Sequence, residues 1–340
     1  MDGSMDGIYI LGNDVVFDQV IALINSVQEH NSDRYPICVI PYDNRIERLK
    51  TAVLNYSQVT VLDNPTLFQR WDEFVVRAWE EVPFRQEFWN QGGTQTGIHR
   101  MGTHRRFVAF DEEAPFSRFI YLDADIITLA PLDILFTRLN SYDFITYDFQ
   151  HKDPSHVFNI ELDETHEFLA QDGNDKRIFC SGMFGSKTGL ITPDKREQVI
   201  EALRAGGGRL LYPPAPDQTL LNYMAIALNL SYSNMGIDLP AEERTGCCVT
   251  SPHFEKRAWK LYDKGVPLIY LHYIGLSARF FKQLCSGENI DFPYRDIFLH
   301  YRYLKHPEDQ PKFQGQPVPY NAPPGLFTRL KQKIKKQFSA

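Results

Sequence analysis

Short apolar runs alternate with amphipathic stretches through the first part of the chain. Gly7 to Leu11 is β-branched and aromatic, the pattern of a buried strand, and it ends on the turn-forming triplet Gly12-Asn13-Asp14. Apolar residues then recur at helical spacing at Val16, Val20, Leu23, Ile24 and Val27. Pro36 to Ile40 and Val59 to Leu62 repeat the strand pattern. Between them Asn44 is placed to cap a helix carrying Ile46, Leu49 and Val53, and Phe68 to Trp79 predicts a third helix. This alternation predicts an α/β fold, a Rossmann-like, mixed but mostly parallel sheet flanked by helices.

Further along, Gln91 to Gly97 reads as a loop and Ile98 to Phe110 as a helix. Strands are expected at Asp143 to Asp148, Phe179 to Lys187 and Pro267 to His272, and helices at Asp194 to Arg204, Asp217 to Leu228 and much of Asn289 to Tyr303. Lys152 to Arg177 is polar with little periodicity and predicts a flap. Ala205 to Gly208 predicts a flexible break. Lys305 to Pro324 is rich in proline and predicts an extended linker. The expected organisation is one domain over residues 1–303, with halves meeting near residue 130, a linker over 304–324 and a tail over 325–340. In that tail Phe327, Leu330, Ile334 and Phe338 are spaced as one helical face among five basic residues, a pattern that suits a peripheral contact with an anionic membrane.

The stretch with the clearest chemistry is Arg118 to Pro131. Its apolar run Phe119 to Leu122 stops on Asp123-Ala124-Asp125 before a second run, Ile126 to Leu129. Two carboxylates inside an apolar block are costly to desolvate unless compensated. A divalent cation, Mg²⁺ or Mn²⁺, is the natural compensator, and such cations hold substrate phosphates. Taken alone, the pair serves equally well as a strand cap and a solvent-facing bend.

Composition narrows the classes. A formal net charge of −7 argues against wholesale nucleic-acid binding. No apolar run approaches the ~20 residues of a membrane span, and the acidic Met1 to Gly7 segment is unlike a secretory signal. The five cysteines lack framework spacing, so reduced thiols and a cytoplasmic setting, peripheral to a membrane at most, are expected.

Six motifs in order resemble the retaining glycosyltransferases that include glycogenin and the bacterial lipooligosaccharide galactosyltransferases. They are Gly12-Asn13-Asp14, Arg106, YLDAD at Tyr121 to Asp125, FCSG at Phe179 to Gly182, DQTLLN at Asp217 to Asn222, and HYIG at His272 to Gly275. The resemblance implies a GT-A fold and a metal-dependent hexosyltransferase using a nucleotide-sugar, with a UDP-sugar expected. It implies that Asp123, Asp125 and His272 coordinate Mn²⁺ or Mg²⁺, and that Arg106 and Ala124 lie at the donor. Gly12, Asn13 and Asp14 would hold base and ribose. Gln218 and Asp217 would face the reacting sugar, Asp217 either holding hydroxyls or acting as nucleophile. Gly275 would shape the diphosphate loop. Two departures stand out: Cys180 replaces the family's Asn, and the family's diphosphate-binding Lys falls on Ala278, so that either the adjacent Arg279 replaces it in a shifted loop or diphosphate binding is weaker. The acceptor is not legible. Competing readings are a catalytically inactive nucleotide-sugar or glycan-binding protein on the same fold, and a sugar nucleotidyltransferase, which would need a basic loop after the first strand.

Overall fold

A computed structural model describes residues 5–32, 34–87 and 98–322. Its main sheet has seven strands: β1 (Asp6–Gly12), β2 (Ile37–Pro41), β3 (Val59–Val61), β4 (Arg118–Asp123), β6 (Phe144–Thr146), β7 (Met183–Lys187) and β8 (Tyr232–Asn234). The order is β3-β2-β1-β4-β7-β6-β8. Four of the six pairings are parallel, and β7 runs antiparallel to both its neighbours. The short strand β5 (Ile126–Thr128) lies outside this sheet.

Period-two alternation divides the strand residues between two buried layers. Ile8, Ile10, Val39, Ile120 and Leu122 face an aliphatic layer built with helix α1 (Phe17–Asn31) and helix α2 (Glu47–Val53). Tyr9, Ile40, Phe119, Tyr121 and Phe184 face an aromatic layer with helix α3 (Pro65–Glu80). Phe184 is central in it, nearly parallel to Phe144 at 5.3 Å and to Phe110 at 5.8 Å, and 4.8 Å from Tyr121. Burial on both faces explains why these strands read as continuous apolar runs rather than alternating ones.

Strand direction decides where chemistry collects. The carboxyl ends of β1, β2 and β4 share one sheet edge because these strands are parallel. The antiparallel β7 brings its amino end to that edge, and β6 its carboxyl end. Gly12, Asp123, Gly182 and Asp148 are therefore neighbours there.

A small sheet follows, with β9 (Glu255–Arg257), β10 (Lys260–Asp263) and β11 (Val266–Pro267) in the order β11-β10-β9. The expected strand Pro267 to His272 is thus split: Pro267 belongs to β11, while Tyr270–His272 forms β12, paired antiparallel with β5.

Other expectations are corrected. The segment before β4 is a 3-10 helix, Met101–Phe110, not an α-helix. Asn44 does not cap α2; the Asp14 carboxylate does, accepting from Arg48 N and Leu49 N at 3.1 and 3.0 Å. The expected flap is folded: it carries the helix Asp163–Ala170 and buries Val157, Phe158 and Leu169. Phe179 to Gly182 is a loop rather than strand, because it serves the site below. The glycine break is close-packed: a Cβ on Gly207 would meet the Tyr223 hydroxyl at 1.8 Å, and one on Gly208 the Glu81 carbonyl at 2.2 Å. The proline-rich stretch is extended but stapled. Its β14 (Val318–Pro319) pairs with β13 (Ile290–Asp291), and Tyr320 contacts Phe280 edge-on at 5.8 Å. The loop predicted at 91–97 and the tail over 325–340 lie outside the described residues. All five cysteines are free thiols.

Candidate active site

The acidic turn is built by the chain leaving β4 and entering β5. The register of β5 against β12 sets His272 opposite Ile126, one residue from Asp125. Tyr273 N donates to the Asp125 carbonyl at 2.9 Å, and His272 Nε2 lies 3.2 Å from Asp125 Oδ1. His272 is pinned from behind by its own main chain, which donates to Cys247 O at 2.7 Å and accepts from Val249 N at 2.9 Å. One donor atom each from Asp123, Asp125 and His272 falls within a 4.8 Å cluster.

A second charge cluster abuts the first. Arg106, only 3% exposed, places Nη2 3.1 Å from both Asp123 Oδ1 and Asp217 Oδ2. Its Nη1 donates to Ser181 O at 2.6 Å, its Nε to Thr103 O at 3.0 Å, and its guanidinium lies over the Tyr121 ring at 4.8 Å. Tyr121 donates its hydroxyl to Asp123 Oδ1 at 2.5 Å. The loop Phe179 to Gly182 ties the clusters together. Phe179 exchanges two hydrogen bonds with the Asn222 side chain. Ser181 N donates to Gln218 Oε1 and Ser181 Oγ to Asp217 Oδ2, both at 3.2 Å. Gln218 Nε2 donates to His156 O. Asp123 N donates to Gly182 O at 2.8 Å.

The electrostatics follow. Burial pushes the Asp217 carboxyl up, but Arg106, then His104 and Arg100, outweigh it and hold the pKa down at about 2. Burial likewise opposes ionisation of Asp125, yet His272 keeps it below the usual range. Burial disfavours the charged His272 ring, but Asp125 and a hydrogen bond with Cys180 hold its pKa well above normal. Asp123 goes the other way, raised by burial and Asp125 despite Arg106. A charge-dense, largely water-excluded edge of this kind is where a functional site is expected. Two carboxylates and one imidazole in one cluster, each donor held by a neighbour, fit a hexacoordinate cation such as Mn²⁺ or Mg²⁺.

A cleft of about 390 Å³ opens over this edge. Gly12, Asn13, Arg106, Asp123, Ala124 and Asp125 all line it. Gly12 permits a close approach there, since a Cβ would meet Val20 Cγ2 at 2.6 Å. Asn13 is half-committed: its Oδ1 accepts from Val15 N and its amide donates to Asp43, both at 3.0 Å. Three expected residues fall elsewhere. Asp14 caps α2, as described above. Gly275 is exposed at φ +81°, in the left-handed region that favours glycine. Arg279 is exposed with its guanidinium over the Phe280 ring at 4.7 Å, while Ala278 lines the cleft. A larger cavity, about 790 Å³, lies beyond β2 and β3 against α3; it shares no residue with the acidic cluster.

Asp148 was not anticipated. It is 5% exposed, sits at the same edge past β6, and its Oδ2 has no hydrogen-bond partner. Burial raises its pKa to about 7 despite hydrogen bonds from main-chain N–H groups. Its position at the end of an expected strand was the available signal. Arg100 and Tyr121 were likewise read only as helix and strand residues.

The mixed seven-stranded sheet flanked by helices is a GT-A fold, shared with a solved glycosyltransferase. Among solved structures the chain is similar to the bifunctional glycosyltransferase WbbM, with a TM-score of 0.54 and 14% identity, covering 91% of this chain and 52% of that one. The chain thus spans about half the length of WbbM. Similarity also extends to mouse xyloside xylosyltransferase 1, with a TM-score of 0.48, 12% identity, and coverage of 68% of this chain and 85% of that one. For the galactosyltransferase LgtC in complex with donor and acceptor sugar analogs the values are 0.46 and 15%, over 86% of this chain and 100% of that one. Only the first is close enough in shape to carry the fold assignment. No family model and no curated relative matches the chain.

Proposed function

We propose that this protein is a metal-dependent glycosyltransferase that moves a hexose from a nucleotide-sugar, of which a UDP-sugar is the first to test, to an acceptor hydroxyl with retention of configuration. The observation that carries the reading is the convergence of Asp123, Asp125 and His272 beside the Arg106–Asp217 pair, with Asp123, Asp125 and Arg106 lining one cleft. Asp123, Asp125 and His272 would hold Mn²⁺ or Mg²⁺, which when bound supplies Lewis acidity toward a diphosphate leaving group. Arg106 keeps Asp217 ionised and fixes both Asp217 and Asp123 in place. Gly12 and Asn13 form the wall for base and ribose. Ser181 and Arg106 hold the Asp217 carboxylate in a paired state, which suits orienting sugar hydroxyls better than forming a covalent glycosyl bond. Gln218, anchored by Ser181 and His156, lies beside it as a neutral dipole for the developing positive charge on the sugar.

The test is donor turnover by the full chain with Mn²⁺ and a panel of nucleotide-sugars. Asp125→Ala is expected to abolish both Mn²⁺ binding and turnover. Full turnover in that variant overturns the metal role. Donor binding without hydrolysis or transfer by the wild-type chain selects the inactive binding protein instead. No described helix is long and apolar enough to cross a membrane. The proposed peripheral membrane contact through the 325–340 tail stands on sequence alone. Removal of Phe327 to Ala340 should then abolish sedimentation with anionic vesicles, and unchanged sedimentation ends that idea.

A further inference from the structure

The 3-10 geometry of Met101–Phe110 changes which side chains share a face. An α-helix turns about 100° per residue, so a residue six places on points well away. A 3-10 helix repeats every three residues, so positions i, i+3 and i+6 stack. Thr103 and Arg106 are related in this way, and with Arg100, the residue just before the helix, they line the cleft above the acidic turn.

Arg100 itself is held in an unusual backbone state. It precedes the first turn of the helix at φ +51°, ψ +41°, the left-handed region that costs an ordinary residue about 1 kcal/mol. Two hydrogen bonds fix it there: its carbonyl accepts from Thr103 N and Thr103 Oγ1, both at 2.8 Å. Thr103 O in turn accepts from Arg106 Nε. The three residues thus form a continuous braced unit.

The cations around this cleft are not equivalent. Arg106 is engaged by Asp123 and Asp217. Arg45 is engaged by Asp43, which its Nη2 reaches at 2.5 Å. Arg279 is turned onto Phe280 and does not line the cleft. Arg100 makes no ion pair and no side-chain hydrogen bond among the described residues, and it is exposed. Its charge helps hold Asp217 ionised, yet no carboxylate among the described residues pairs with it directly. An exposed cation so placed, lining the same cleft as Asp123 and Asp125, is suited to an anionic ligand, and a guanidinium grips phosphate oxygens bidentately.

We propose that Arg100 is the diphosphate-binding cation of this site, the role that neither Ala278 nor Arg279 is placed to fill. This rests on the nucleotide-sugar reading above and identifies which residue meets the leaving group's charge. It assigns the phosphate grip to the segment before β4 rather than to the loop after β12.

The experiment uses the full chain, Mn²⁺ and inorganic pyrophosphate, a probe with neither base nor sugar, read by calorimetry. Arg100→Gln is expected to weaken pyrophosphate binding about tenfold or more, the scale of one lost charge-assisted contact. Arg100→Lys should retain part of it, Arg279→Gln should bind as the wild type does, and Mn²⁺ affinity without pyrophosphate should be the same in all. Arg100 is exposed, so these variants should fold, and equal melting temperatures verify it. Wild-type affinity in Arg100→Gln, or an equal loss in Arg279→Gln, overturns the proposal while leaving the transferase reading intact. Failure of the wild-type chain to bind pyrophosphate, UDP or GDP with Mn²⁺ overturns both.

Discussion

Gly182 lies against the His272 ring so closely that a Cβ on it would stand 2.4 Å from His272 Cε1. The ring has no room to retreat, because its main chain is bonded to Cys247 and Val249. Gly182→Ala should therefore tilt the imidazole away from Asp125. The expected outcome is a 10–100-fold loss of Mn²⁺ affinity, the usual scale for disturbing what orients a metal ligand. Titration of Mn²⁺ by electron paramagnetic resonance measures it directly.

Arg106→Met should be among the most damaging single changes. It leaves the buried Asp217 and the half-buried Asp123 without their shared cation, and breaking a buried pair such as Arg106–Asp217 costs roughly 3–5 kcal/mol. Adding Asp217→Asn should recover part of that loss, because one of the stranded charges is gone. Urea unfolding of the two single variants and the double variant gives the coupling; simple additivity would show that the ion pair is not the cause.

Asp14→Ala separates a structural role from a donor contact. The carboxylate caps two N–H groups of α2, so its removal should cost about 1 kcal/mol of stability. Binding of nucleoside diphosphate with Mn²⁺ should be unchanged. A large loss of binding at unchanged stability would restore the role in ribose recognition expected from sequence.

Two buried groups give stability opposite dependences on pH. His104, which accepts from Trp79 Nε1 at 3.0 Å, has its pKa lowered by burial from 6.5 to about 4. Its contribution is present above 6.5 and is lost as pH falls toward 4. Asp148 has its pKa raised by burial from 3.8 to about 7, so its contribution is present below 3.8 and is lost as pH rises toward 7. The shifts correspond to about 3 kcal/mol for His104 and about 4 kcal/mol for Asp148, and the two oppose over nearly the same window. In the metal-free protein, Asp148→Asn should make stability rise more steeply with pH than in the wild type, and His104→Gln should make it rise less or fall. Urea midpoints between pH 4.5 and 7.5 test both slopes.

The sheet was legible because its strands are buried on both faces and so announce themselves as apolar runs. The acidic turn was legible because carboxylates inside such a run are conspicuous. His272, Arg106, Asp217 and Gln218 became legible only through the order of motifs, since nothing in the spacing of 123 and 272 reveals that β5 and β12 pair. The place of Arg100 at the cleft escaped because it precedes the 3-10 helix in a left-handed conformation, which no apolar pattern marks. The stapling of the proline-rich stretch escaped because β13 and β14 have two residues each, too few to make a pattern. The capping role of Asp14 went unread for a different reason. Its partners, Arg48 and Leu49, lie beyond the intervening β2, and short-range reading cannot see a helix cap supplied from 34 residues away.

The pairing of β5 with β12 has a consequence for biosynthesis. His272 lies 147 residues after Asp125, so the strand β12 that carries it is synthesised long after the acidic turn it packs against. A product terminated ahead of residue 270 would keep the central strands and the acidic turn, yet lack both the imidazole and the strand that shields it. The clustering of these three side chains therefore waits on the emergence of β12, whatever the order in which the rest of the molecule condenses.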